Sequence, residues 1–179
     1  MSSADFTPGA RITGRARTIT ESDIVSFAAV TGDWHPQHVD AEWAAESRFG
    51  ERIAHGMLVV SYSIGLIGFD PERVVALRGI DSLTFKRPVK IGETIHVEAE
   101  VADVRPIDDD LELVELRWKV FGDGENLAVR ARVTIVHRNE GASRRQVPGT
   151  VPGTSHGGDG SDTRSAGASE SLYGDRVLL

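Results

Sequence analysis

Hydrophobic and polar positions alternate along the second half of the chain, which predicts β-strands. From 94 to 101 the even positions are polar and the odd positions are apolar. The same two-residue period appears in 127–135, and in 111–121 with a change of phase at Leu113 and Val114 that predicts a bulge. Two less regular strands are also predicted, at 10–17 and 74–83.

The first half of the chain has a helical period instead. Thr20 is a candidate N-cap before an acidic first turn, and the apolar stripe that follows ends near Gly32. A short helix is predicted at 41–48 and a third helix from 56 to about 68. The third helix is apolar nearly all round, so it is expected to be buried on every side.

The order of these elements predicts the fold class. Helices followed by several strands in succession are typical of an α+β fold with an antiparallel sheet, here expected to wrap around the buried helix. The hydrophobic period ends near residue 139, and the last forty residues hold eight of the nineteen glycines. Such a segment buries too little apolar surface to offset the entropy of ordering it. One domain is therefore predicted over 1–139, followed by a disordered Gly/Ser-rich tail over 140–179.

Composition narrows the possible functions. The chain has 179 residues, which suits one domain with a core, and its formal net charge is -7. No basic stripe of the kind that binds nucleic acid is visible. The absence of cysteine excludes disulfides, thiolate metal ligands and a cysteine nucleophile. With neither a signal peptide nor an apolar run of about 20 residues, the protein is expected to be cytoplasmic and not membrane-bound.

Residues 31–40, TGDWHPQHVD, contain the first candidate chemistry. Asp33 and His38 lie five positions apart around Pro36, which disfavours helix at the residue before it. A loop that presents a carboxylate and an imidazole together can hold one water and move protons in both directions. An N-cap and a surface histidine explain the same two residues, so this segment alone leaves both interpretations open.

The second candidate segment is residues 52–58, RIAHGML, with Gly56 at the start of the third helix. A helix N-terminus presents free N–H groups and the positive end of the dipole, and glycine lets a ligand carbonyl approach closely. This arrangement suits an oxyanion site for an enolate. Turn geometry alone is the alternative explanation of Gly56, and His55 is expected to support the start of the helix rather than to take part in chemistry.

Taken together, the two segments G-D-x-x-P-x-H-x-D and F-G-x-x-I-A-H-G-M-L resemble the MaoC-like dehydratases, also called (R)-specific enoyl-CoA hydratases. The string LTFKRPV at 83–89, followed by GET at 92–94, adds to the resemblance, which covers about residues 8–138.

The resemblance implies a hot-dog fold, an antiparallel sheet around a central helix, usually dimerised through the sheets. It implies Asp33 and His38 as the catalytic pair and the backbone N–H of Gly56 as the oxyanion donor. The implied reaction interconverts a 2-enoyl thioester and an (R)-3-hydroxyacyl thioester, carried by coenzyme A or acyl carrier protein, without a metal or redox cofactor. A homodimer is expected, with a heterodimer as the alternative.

The sequence departs from the family at one position, where His35 stands in place of the usual Asn. His35 is expected to join the wall that binds substrate, and Trp34 either lines the acyl pocket or packs structurally. His35 and His38 form a spacing that also suits a metal pair, but Pro36 between them and the dyad explanation argue against a metal site.

Two other functions remain as alternatives. A hot-dog thioesterase commonly carries its carboxylate on the central helix, and no acidic residue lies between Gly56 and Phe69. A subunit that binds acyl thioesters or completes a heterodimer without catalysis is the second alternative, and the intact Asp33 and His38 argue against it.

Overall fold

A computed structural model of the protein describes residues 6–139; the predicted tail lies outside this range. The described residues form five strands and four helices joined by short loops. In chain order these are β1 (Arg11–Thr18), α1 (Glu21–Thr31), α2 (Pro36–Val39), α3 (Ala41–Glu46), α4 (Gly56–Ile67), β2 (Val74–Phe85), β3 (Thr94–Pro106), β4 (Leu111–Gly122) and β5 (Asn126–Arg138).

The strands form one sheet in the order β1-β3-β4-β5-β2, and every neighbouring pair is antiparallel. The predicted α+β class with an antiparallel sheet is therefore confirmed. The two-residue period places the apolar residues of β3, β4 and β5 on the inner face, where they are buried. Trp118 lies in register between Ala99 and Ala131, so small neighbours leave room for the indole.

α4 packs against the inner face of the sheet, and a buried polar contact fixes its position. The indole N–H of Trp118 donates to Oγ of Ser63 over 2.9 Å. The expectation that this helix is buried on every side is wrong. Met57, Ser61 and Gly65, spaced four residues apart, form an exposed stripe along it. A period of four keeps residues on one side of a helix, and the sheet covers only the other sides.

The predicted bulge at Leu113 and Val114 is also wrong. Both residues pair without a register shift, opposite Arg105 and Val104 of β3. The irregularity between these strands lies in β3, between Val101 and Asp103. Leu111 and Leu113 are apolar residues on the outer face of β4, so the change of phase is in residue type and not in the backbone.

Thr20 is the N-cap of α1, as the sequence predicts, and the structure shows that it forms a capping box with Asp23. The side chain of Thr20 accepts from the N–H of Asp23, and the Asp23 carboxylate accepts from the N–H of Thr20. The same carboxylate accepts from the Tyr62 hydroxyl over 2.7 Å and from Arg17 over 2.6 Å. Asp23 therefore ties together α1, β1 and α4.

The segment after α1 forms the turn that positions the candidate site. Gly32 ends α1 with a φ of 77°, in the left-handed region that favours glycine. Pro36 then begins α2, a helix of four residues that the sequence period does not predict because it is about one turn long. Pro is well tolerated at a first helical position, where its missing N–H is not needed.

In the described part of the chain, no helix is both long and apolar enough to cross a bilayer.

Candidate active site

A cleft of about 560 Å³ lies at the N-terminus of α4. One wall comes from the loop before α2, a second from α4 itself, and a third from the segment that follows β2. The polar lining includes both members of the predicted pair. The residues that line the cleft are Asp33, Gln37, His38, Arg48, Phe49, Ile53, Ala54, His55, Gly56, Met57, Val59, Phe85, Lys86, Arg87, Pro88, Val89 and Val129.

His38 is buried at the base of this cleft, and its hydrogen bonds define its tautomer. Nδ1 lies 2.7 Å from the carbonyl oxygen of Ile53, which only accepts, so Nδ1 carries the proton and donates. Nε2 is then the acceptor and lies 2.9 Å from Nε2 of Gln37, which donates to it. Burial is the main cause that lowers the pKa of His38, so the imidazole is neutral near pH 7. His38 thus has the form that accepts a proton.

Asp33 faces the cleft beside this imidazole. Its side chain is 53% exposed, so water and substrate have access to the carboxylate. One carboxylate oxygen and one ring nitrogen each from His38 and His55 all lie within 4.8 Å of one another. Two hydrogen bonds of about 2.8 Å that meet at one water oxygen span a separation of this size. The geometry is suitable for a water held between Asp33 and His38.

His55 is a third member of the cluster that the sequence did not assign to it. Its Nε2 donates to the backbone carbonyl of Asp33 over 2.9 Å, and the ring is buried. The rings of His55 and His38 are stacked, with centroids 3.8 Å apart and an interplanar angle of 25°. The position of His55 beside Gly56 is the one sequence signal that places it near the site.

Asp33, His38 and His55 are three potential metal ligands that lie close together. The orientation of their donor atoms decides whether they suit a metal ion. In-plane lone pairs of two nearly parallel stacked rings do not converge on one point. The arrangement suits proton transfer better than coordination of an ion.

Gly56 is the first residue of α4 and lines the cleft. The N-cap residue, His55, makes no side-chain capping hydrogen bond. A Cβ added at Gly56 would lie 2.6 Å from Cε1 of Phe85, closer than any real contact of this kind. The ring of Phe85 therefore packs against the helix start only because residue 56 is glycine. The sequence did not indicate this role of Phe85.

Trp34 and His35, also predicted as site residues, lie beside the cleft rather than among its lining residues. His35 is the N-cap of α2, where its Nδ1 accepts from the N–H of Gln37 over 3.2 Å. Its ring packs edge-on against Trp43, with centroids 5.4 Å apart. Trp34 is 52% exposed. Their predicted contacts with substrate stay predictions.

Among the basic residues of the lining, Arg87 has a structural partner. It forms an ion pair with the buried carboxylate of Glu93 and donates to the Pro88 carbonyl over 2.9 Å. Glu93 also accepts from the N–H of Lys90 over 3.0 Å. This network fixes the turn that carries the third wall of the cleft. Arg48 and Lys86 are exposed at the mouth of the cleft.

Several known proteins are similar in sequence to this chain. Residues 5–121 match the family model described as "MaoC like domain". Protein MaoC of Klebsiella aerogenes is 44% identical over 94 residues, 52% of this chain and 28% of that protein. The (R)-specific enoyl-CoA hydratase of Aeromonas caviae is 32% identical over 114 residues, 64% of this chain and 83% of that protein. The chain thus spans only about a quarter of the Klebsiella relative.

Solved structures give the same result. An unliganded R-hydratase from Pseudomonas aeruginosa superposes with a TM-score of 0.65 at 32% identity, covering 84% of this chain and 93% of that chain. The chain belongs to the MaoC-like domain family. The predicted hot-dog fold is confirmed as well, by the five-stranded antiparallel sheet packed on α4 and by its structural neighbours.

Proposed function

We propose that this protein is a hydratase or dehydratase that interconverts a 2-enoyl thioester and an (R)-3-hydroxyacyl thioester. The observation that carries the proposal is the convergence of three groups in one cleft. Asp33 and neutral His38 are spaced for one water, and the start of α4 presents the N–H of Gly56 beside them. Relatives named as (R)-specific enoyl-CoA hydratase and as 3-hydroxyacyl-[acyl-carrier-protein] dehydratase support the reaction class and a coenzyme A or acyl-carrier-protein thioester as substrate.

The proposed mechanism uses each group for one task. In the working site the Gln37 amide gives way at Nε2 of His38, so that Asp33 and this nitrogen both accept hydrogen bonds from one water, which attacks the β-carbon of the enoyl group. One of the pair takes a proton from the water as the C–O bond forms, and a proton from the pair is added to the α-carbon on the same face. The Gly56 N–H stabilises the charge that builds on the thioester oxygen. The net change is the addition of one water, and dehydration is the reverse.

A direct assay tests this proposal. Purified protein is incubated with crotonyl-CoA and with longer 2-enoyl-CoAs, and the loss of enoyl absorbance is followed. We expect hydration, with the (R)-3-hydroxyacyl enantiomer as product by chiral chromatography. Release of free thiol without loss of the enoyl group would instead identify a thioesterase. Binding without either reaction would identify a non-catalytic subunit.

Gly56→Ala is expected to lower kcat/KM by at least about tenfold, since displacement of reacting groups by about 1 Å costs up to about 100-fold. The added methyl group would occupy the space of the Phe85 ring, which is half-exposed and lines the cleft, so we expect the ring to shift beside the site. Fold stability should change little, because alanine suits a helix. Kinetics of Gly56→Ala and of Gly56→Ala with Phe85→Ala check this: the second change should restore part of the activity. Equal rates in wild type and Gly56→Ala would contradict it.

We also expect the protein to form a dimer. β2 is an edge strand of 12 residues, and the side chains of Val75 and Leu77 on it are exposed. The stripe of α4 is a second exposed surface of the same chain. An exposed edge strand is a template for pairing with a second copy. Light scattering at micromolar concentration should give twice the mass of the chain, and Val75→Pro should lower it. A stable wild-type monomer would refute the expectation.

A further inference from the structure

His55 has no task in the proton-transfer scheme, yet it contacts both members of the proposed pair. It lies at the N-cap of α4, directly before Gly56, and its side chain is 2% exposed. Its Nε2–H donates to the carbonyl of Asp33, and one face of its ring covers the ring of His38. Phe27 of α1 packs against the His55 ring, with centroids 5.1 Å apart. Capping of α4 does not explain the imidazole, since it makes no cap hydrogen bond.

We propose that His55 is a positioning residue that holds Asp33 and His38 at their working separation and keeps His38 in its neutral form. The inference rests on the proposed hydratase function. The role is one of positioning and not of catalysis, because the hydrogen bond and the ring stack of His55 are made to Asp33 and His38 themselves.

The first physical link is the hydrogen bond to Asp33. The carbonyl that accepts from His55 belongs to the residue that carries the carboxylate, so this bond fixes the backbone of Asp33 relative to α4. α4 also carries Gly56. One imidazole therefore connects the carboxylate to the helix start that presents the oxyanion donor.

The second link is the stacked pair of rings. At a centroid distance of 3.8 Å, His55 covers one face of His38 and disfavours the protonated form of His38. The Nδ1 of His55 is buried without a hydrogen-bond partner among the described residues.

Other charged groups also face His38, and they act in both directions. Asp33 favours its protonated form, whereas His35 and His55 disfavour it. Arg48, Lys86 and Arg87 line the same cleft. The effect of His55 on the pKa of His38 is therefore measured by substituting His55 alone and leaving these other groups in place.

Two substitutions separate the two links. His55→Phe keeps an aromatic ring against His38 but removes the donor to Asp33. His55→Gln retains an N–H donor of similar reach but removes the ring. His96, on the outer face of the sheet, provides the matched control as His96→Phe and His96→Gln.

The readouts are the NMR titration of the His38 ring and steady-state kinetics with crotonyl-CoA. We expect the titration midpoint of His38 to rise in His55→Gln, where the covering ring is lost, and to change little in His55→Phe, which keeps a ring against His38. We expect kcat of His55→Phe to fall at least about tenfold with KM changed by less than about twofold, and His55→Gln to recover part of it. The His96 variants should match wild type in both readouts.

An unchanged His38 titration in both His55 variants would overturn the inference, as would a lower melting temperature with normal kcat. If His55→Phe fails to fold, the titration of His55→Gln decides alone. The NMR arm needs no turnover. A wild-type protein without hydratase activity would therefore refute the proposed function, while the titration would still show whether His55 controls His38.

Discussion

Asp33→Asn and His38→Ala are each expected to lower the hydration rate by at least about 10²-fold, because a positioned acid or base contributes about 10²–10⁴-fold. In Asp33→Asn, the amide cannot take a proton from the water that the carboxylate binds. In His38→Ala, the Nε2 that would bind the same water is lost. The side chain of Asp33 is half-exposed, so its replacement should leave the fold intact. Stopped-flow or steady-state loss of enoyl absorbance, with circular dichroism to confirm folding, measures the effect.

The double variant is expected to be little worse than the poorer single variant, because two residues that act on one water do not contribute independently. His96→Ala is the control for a histidine outside the cleft, and it should retain the wild-type rate. If both single variants keep near-normal rates, the loop at 31–40 is not the active site. Multiplicative losses in the double variant would instead show that the two residues act in separate steps.

In the proposed mechanism, the hydration rate depends on pH through the protonation of His38. Burial lowers the pKa of His38, so the neutral form persists below the usual midpoint of about 6.5 for histidine. The rate of hydration should therefore hold as pH falls to 6.5 and decline below it, as His38 gains a proton and Nε2 is no longer an acceptor.

The second large effect is expected on stability, from Asp23→Ala. The change removes the half of the capping box in which the carboxylate accepts from the N–H of Thr20, one hydrogen bond worth about 0.5–1.5 kcal/mol. It also removes the acceptor shared by the partly buried Tyr62 hydroxyl and the half-exposed Arg17, two hydrogen bonds that together contribute about 1–3 kcal/mol. We expect the free energy of unfolding to fall by about 1.5–4.5 kcal/mol in urea titrations, the sum of these terms. Glu21→Gln, which removes an exposed ion pair with Arg52, should cost less than about 1 kcal/mol.

The same residue makes stability depend on pH. Burial alone would raise the pKa of Asp23, but hydrogen bonds from Tyr62, Thr20 and Arg17 outweigh it and hold the pKa well below its usual range. A carboxylate with a lowered folded pKa contributes fully above its unfolded value, about 3.9, and loses that contribution as pH falls further. Wild type should therefore lose more stability than Asp23→Asn between pH 4 and pH 2. Parallel curves for the two proteins would contradict this role of Asp23.

The sequence predicts the repeating elements of this fold well, because burial on one side imposes a period on a strand or a helix. The strands at 94–101, 111–121 and 127–135 lie within observed β3, β4 and β5. The cap at Thr20 and the end of α1 at Gly32 follow from local hydrogen bonds and backbone preferences. α2 is the element that this reasoning misses, because four residues are too few to show a period.

The candidate site also has features that the sequence predicts and features that depend on the fold. The residue types and spacing of Asp33, His38 and Gly56 follow from the sequence, since the chemistry needs a carboxylate, an imidazole and an approachable N–H. Their convergence does not, because it depends on where the loop meets α4. Only the fold brings the Ile53 carbonyl to Nδ1 of His38, and that contact decides which nitrogen accepts a proton.

By itself, the sequence determined the fold class, the order of the elements and the pair of residues suited to acid-base work, because each depends on local pattern or residue type. The tertiary structure decided the stack of His55 on His38, the packing of Phe85 against Gly56 and the exposed stripe of α4. The physical reason is that these contacts join residues from different segments. Their distances are set by how the sheet packs on α4, and no period or spacing along the chain records that packing.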